Sequence, residues 1–103
     1  MKEAIVALSR WESVLVELFQ RTGKFPRVLR YSLTSRIENA GLDVMERLLE
    51  AAKDRGTTES VMAAIGRLRI LLRLAVELHA MDRRGHEHLS RRIDDVREPL
   101  DLG

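Results

Sequence analysis

Apolar residues recur in this chain at intervals of three and four from one end to the other, and nowhere do they alternate with a period of two. That spacing collects them on one face of an α-helix, so the chain is committed to helices packed side by side and no sheet is expected. Ala4, Leu8, Trp11, Leu15 and Leu18 form the first stripe. Its helix runs from about Lys2 to Arg21, with Gly23 placed as the C′ residue and Pro26 preventing simple continuation. A second helix starts near Pro26, which a first turn tolerates, or near Leu33, and ends at about Lys53. Its stripe is Ile37, Gly41, Val44, Leu48 and Ala51 or Ala52, and Ser35 with Glu38 offers a capping box.

Asp54, Arg55 and Gly56 end that helix, and Thr57 or Thr58 caps a third over about 58–79. Val61, Ile65, Leu68, Leu72, Ala75 and His79 line it, widened by Ala64, Leu71 and Leu78, and so broad a face needs more than one neighbour. Asp82 caps a fourth helix over about 83–97, striped by His86, Leu89, Ile93 and Val96 and stopped by Pro99. Connections of three to six residues force sequential helices to be neighbours. Residues 1–103 therefore read as one all-α domain, an antiparallel up-down four-helix bundle.

A chain of 103 residues has a thin core for its surface, and with 4% aromatic residues that core must be aliphatic. Oligomerisation would relieve the shortage. The absence of cysteine excludes disulfides and thiolate chemistry and fits a reducing cytosol. No apolar run approaches the roughly 18 residues of a membrane span, so neither an anchor nor a membrane partner is expected.

Charge is distributed unevenly. Fifteen of the 18 basic residues are Arg, the planar fork that grips phosphate or carboxylate with two parallel bonds. Between Glu17 and Glu38 no acid occurs, while Arg21, Lys24, Arg27, Arg30 and Arg36 do, with Phe25, Pro26 and Tyr31 among them. Five cations in that block exceed the net charge of +2 for the whole chain. Arg69 and Arg73, four apart, share one face of the third helix, where Glu77 could pair with Arg73. Asp94, Asp95, Glu87 and Glu98 stand near enough to offset Arg83, Arg84, Arg91 and Arg92.

Catalytic and metal-binding patterns are weak. No Glu precedes a His by three residues, as a carboxylate-bridged dimetal bundle requires. His86 and His88 point about 200° apart on a helix and do not converge on one ion. His79 reads as a partly buried helix-end residue, no Ser sits in a nucleophile elbow, and no Gly-rich phosphate loop occurs. A non-enzyme without cofactor or metal is expected.

Gly23-Lys-Phe-Pro-Arg-Val-Leu-Arg-Tyr-Ser-Leu-Thr-Ser-Arg-Ile37, followed by Val44-Met-Glu-Arg-Leu-Leu-Glu-Ala-Ala52, resembles the second-helix region of the accessory variability determinant proteins of diversity-generating retroelements. Leu68-Arg-Ile-Leu-Leu-Arg-Leu-Ala75 and His86-Glu-His-Leu-Ser-Arg91 resemble the third helix and the start of the fourth, so the likeness spans most of residues 20–97. It implies a four-helix bundle assembled into a homopentameric, barrel-like ring with a basic surface, cytoplasmic and without catalysis of its own. The implied partners are the retroelement's reverse transcriptase and its template-repeat RNA or RNA/DNA, in support of mutagenic copying at adenines. By motif position it implies Lys24, Arg27, Arg30 and Arg36 as contact residues, with Arg69 and Arg73 beside them, and Phe25, Pro26, Tyr31 and Leu33 as the residues that shape the corner. The tail Glu98-Pro-Leu-Asp-Leu-Gly103 departs from the Gly/Trp-containing, often basic family tail. The alternative is a related bundle of the kind encoded in ribosomal RNA intervening sequences or standing alone, acting as a protein-interaction scaffold.

Overall fold

The structure is a computed structural model that describes the backbone of residues 1–102 and the side chains of residues 1–101. Four long helices carry it: α1 (Lys2–Thr22), α2 (Ser35–Ala52), α3 (Thr58–Glu77) and α4 (Arg83–Leu102), and no strand occurs among the described residues. They fill a body 40 × 24 × 19 Å, in which α1 and α3 each pack chiefly against α2 and α4.

The seam of α1 and α2 is the tightest. Trp11 is wholly buried, and its indole N–H donates to the Gly41 carbonyl at 2.9 Å. A Cβ on Gly41 would stand 2.7 Å from Leu18 Cδ2 and 2.9 Å from Leu15 Cδ1, so the absent side chain is what admits those leucines. Further along the seam the Met1 amino group donates to the Ala52 carbonyl, and the Thr22 hydroxyl donates to Glu38 Oε2 at 2.6 Å. Between α2 and α3, Arg47 donates to the Ser60 carbonyl and Arg67 to Asp43; between α3 and α4, Arg69 pairs with Asp94.

The core stripe of α1 is Ala4, Ala7, Trp11, Val14 and Leu18. Leu8 and Leu15, placed in that stripe by the sequence spacing, are only partly buried at its edge. Ala7 and Val14 take the buried positions one residue before them, which leaves both leucines flanking the stripe and packed against the core. The stripes of α2 and α3 match expectation through Ile37, Gly41, Val44, Leu48 and Ala51, and through Val61, Ala64, Ile65, Leu68, Leu72 and Ala75. Leu78 and His79 do not belong to it, because α3 ends at Glu77 and both are exposed.

Helix ends follow hydrogen bonding. Thr57 accepts from the Ser60 amide at 3.0 Å and Asp82 from the Gly85 amide at 2.7 Å, capping α3 and α4. The C-termini of α2 and α3 close with left-handed Asp54 (φ 57°) and His79 (φ 60°), each followed by an amide that reaches back to a carbonyl five residues earlier. Gly23 is different. It ends α1 at φ −61°, so its left-handed freedom is unused. No capping box forms at Ser35, whose hydroxyl donates to the Ser32 carbonyl at 3.4 Å while Glu38 serves Thr22.

Pro99 does not stop α4, which continues to Leu102. Proline has no N–H for the Asp95 carbonyl, which loses its intrahelical partner. Arg10 of α1 supplies the missing donor, its Nη1 lying 2.7 Å from that carbonyl. The extra turn brings Leu100 into the core at 3% exposure.

Two glycines separate backbone propensity from packing. Gly66, inside α3, has nothing within 4 Å of a notional Cβ. Gly66→Ala is expected to raise unfolding free energy by about 1 kcal/mol. Gly41→Ala is expected to give no such gain and to lose about 1 kcal/mol through overpacking. Denaturant titrations followed by the fluorescence of Trp11, the lone tryptophan, test both.

Candidate nucleic-acid interface

Between α1 and α2 the chain turns a corner in twelve residues, Gly23–Thr34, and the turn is not α-helical. Pro26, at φ −54° and ψ 137°, is extended and opens a 3₁₀ turn over Arg27–Leu29. A π turn over Arg30–Thr34 follows, in which the Ser35 amide reaches the Arg30 carbonyl five residues back. The wider π spacing leads into α2 while burying Leu33 and Thr34. Phe25 and Leu29 anchor the corner as partly buried side chains against the core. Both expected starts of the second helix, Pro26 and Leu33, thus fall within one continuous irregular entry.

What faces outward is basic and aromatic. Lys24, Arg27, Arg30 and Arg36 are all exposed, and among the described residues none has a carboxylate within 4.0 Å. Tyr31 is 88% exposed and Val28 87%. Tyr31 therefore does not shape the corner by packing, as the resemblance implied for it; the π turn carries its ring away from the core. An open groove of about 600 Å³ lies on this corner, lined by Phe25, Arg27, Arg30 and Tyr31, with Thr22, Thr34 and Glu38 among its remaining residues.

Arg21 is withdrawn from the cluster. Its Nε lies 2.9 Å from Glu17 Oε2, and Glu17 also receives Arg92 at 2.6 Å and His88 Nδ1 at 2.9 Å. Burial acts to raise the pKa of Glu17, but hydrogen bonds from Arg92, Arg21 and His88 prevail and hold it at about 2. Arg92 thus takes its partner from α1 and not from the acids of its own helix.

Arg69 and Arg73 part company with the corner to different degrees. Arg69 is mostly covered and paired with Asp94, with its buried Nε left without a partner. Arg73 is exposed and without a carboxylate in reach among the described residues, Glu77 included. It borders a separate groove of about 290 Å³ with Val76, Glu77, Arg83, His86 and Glu87. Arg21 lies over Gly85 in the first turn of α4, and the last turn of α3 reaches that turn through Leu78–Asp82. Residues 18–38 and 71–91 consequently gather at one end of the body, with nine Lys or Arg against four Asp or Glu. The remainder of the chain holds nine against twelve. Sequence periodicity alone did not reveal that Arg73, Arg83, Arg84 and Arg91 share an end with the corner; the short link from α3 to α4 was the available signal.

Comparison with known proteins finds no matching family model, no matching curated protein and no matching solved structure. No described helix is long and apolar enough to cross a membrane.

Because the Glu17 pKa falls from 4.5 unfolded to about 2 folded, its contribution to stability is complete above pH 4.5 and is lost as pH drops towards 2. Allowing for solvent screening, Glu17→Gln should cost about 1–2 kcal/mol at neutral pH and flatten the stability profile between about pH 5 and 2. Thermal melts of both proteins across that range measure the difference.

Proposed function

We propose that this protein is a non-catalytic, nucleic-acid-binding accessory subunit of the accessory variability determinant kind, engaging a reverse transcriptase and its template-repeat RNA through the corner between α1 and α2. The observation that carries the reading is the corner itself: four exposed cations without counter-ions among the described residues, on an irregular turn and the first turn of α2, beside an outward aromatic ring. Unpaired arginines are free to exchange water for phosphate, whereas a paired one must first break its ion pair. Lys24, Arg27, Arg30 and Arg36 are the contact residues, Arg73 adds to the field at the same end, and Arg69 holds α3 to α4 through Asp94.

The topology in this reading is an antiparallel up-down bundle. Support comes from the pairs Met1 with Ala52 and Thr22 with Glu38, Arg10 with Asp95 and Glu17 with Arg92, and Arg47 with Ser60 and Arg67 with Asp43. The assembly is a homopentameric ring in the cytoplasm. Ile5, Val16 and Phe19 stand exposed on α1, and Ile70, Leu74 and Leu78 at and beyond the end of α3, the helix diagonal to it. Two different apolar stripes on opposite sides favour head-to-tail contacts, which form a ring where the rotation between subunits closes; closure and the count of five rest on the resemblance.

Arg27→Glu combined with Arg30→Glu should abolish binding to a structured RNA at low salt and leave the melting temperature within a few degrees of wild type. Wild-type affinity should fall steeply with ionic strength. Binding indifferent to both the double change and salt would sink the electrostatic account. Light scattering should give a mass about five times the 11.8 kDa of one chain, and a monomer or dimer at micromolar concentration counts against the family reading. A neighbouring reverse-transcriptase gene with a near-identical repeat pair separates this reading from a free-standing scaffold.

A further inference from the structure

The corner carries more than phosphate recognition requires. Phosphate binding needs cations on a surface, yet here Arg27 and Arg30 share a groove of about 600 Å³ with Phe25 and Tyr31, and with the polar side chains of Thr34 and Glu38. Thr34 is 9% exposed, and its Oγ1 has no hydrogen-bond partner. A buried hydroxyl left so costs about 1–3 kcal/mol, which folding alone does not reward. Threonine in a helix has two accessible χ1 rotamers, so a turn about one bond re-aims that hydroxyl. Glu38 uses Oε2 for Thr22, leaving Oε1 able to accept from an N–H or O–H in the groove.

We propose that this groove binds single-stranded nucleic acid, with one unpaired base laid on the Tyr31 ring, its edge towards Glu38 and Thr34, and its flanking phosphates on Arg27 and Arg30. The inference rests on the reading of the corner as a nucleic-acid surface and adds what that reading leaves open, the strandedness of the ligand. Three features of the groove and one of the duplex select it. The Tyr31 ring is 88% exposed, a platform that a paired and stacked base cannot use. The groove has the volume of a small-molecule pocket, suited to one nucleotide and too small for a helix. Arg27 and Arg30 offer cations for phosphate while Glu38, within 4.0 Å of neither, offers an acceptor for a base edge. A duplex base would have to be extruded to enter, at a cost of a few kcal/mol.

Electrostatics alone predicts the reverse order. A duplex has the higher charge density and releases more counter-ions per contact, so a purely basic patch prefers it. Preference for the single strand is therefore a signature of the groove and not of its charge.

The test is fluorescence anisotropy at one fixed low salt concentration, with a labelled unstructured RNA of about 12 nucleotides and a blunt RNA duplex of the same length. The single strand is expected to bind about tenfold more tightly than the duplex. Tyr31→Ala should remove that preference while sparing duplex binding, Tyr31→Phe should keep it, and Thr34→Val should weaken single-strand binding by about threefold to tenfold without lowering the melting temperature. Equal or tighter duplex binding, or a Tyr31→Ala variant that binds the single strand as wild type does, overturns the inference. If those results coincide with a loss of all binding in the Arg27→Glu, Arg30→Glu variant, the broader functional reading survives. If wild type binds neither probe, both fall together.

Discussion

One buried hydrogen bond, from the Trp11 indole to the Gly41 carbonyl, fixes how closely α1 and α2 approach. The largest side chain in the protein meets a residue with none, and Leu15 and Leu18 close over the space that a methyl group would have filled. The twelve residues between them form no broad loop. They tighten into a 3₁₀ turn and then widen into a π turn, and the change of pitch decides which side chains go inward. Leu33 and Thr34 are buried, and Tyr31 is turned out. The outward aromatic of the candidate site thus belongs to the turn that joins these two helices.

Counter-ions are allotted with the same economy of space. Glu17, at the seam of α1 and α4, takes Arg21, Arg92 and His88 together. Asp43 similarly takes Arg47 and Arg67 across α2 and α3. These acids lie within or between the helices, where they knit the bundle, and none reaches the corner. The four corner cations remain open to solvent, since Glu17 is engaged at the seam and Glu38, though it lines the corner groove, lies within 4.0 Å of none of them among the described residues.

Periodicity made most of the fold legible. The existence of α1 to α4, the caps at Thr57 and Asp82 and the core stripes of α2 and α3 follow from spacing and side-chain chemistry, because each depends on residues within one turn. Errors arose where a distant residue intervened. Pro99 reads as a stop until Arg10, some ninety residues earlier, satisfies the carbonyl it strands. The Ser35–Glu38 pair reads as a capping box until Thr22 claims the carboxylate. For the corner, the run of cations was plain in the sequence. That Arg21 is neutralised, that Arg69 is tied down and that Tyr31 stands free depended on contacts across helices, which spacing does not encode.

The gathering of nine cations and four acids at one end, against nine and twelve over the remainder, has a consequence for motion in solution. Along a body 40 Å long this separation of charge is a molecular dipole parallel to the helices. In the field of a polyanion such a subunit feels a torque before it feels a contact, and rotates until the basic end leads. Diffusion then delivers it basic end first, so a larger share of collisions with any polyanion presents the corner instead of the flank.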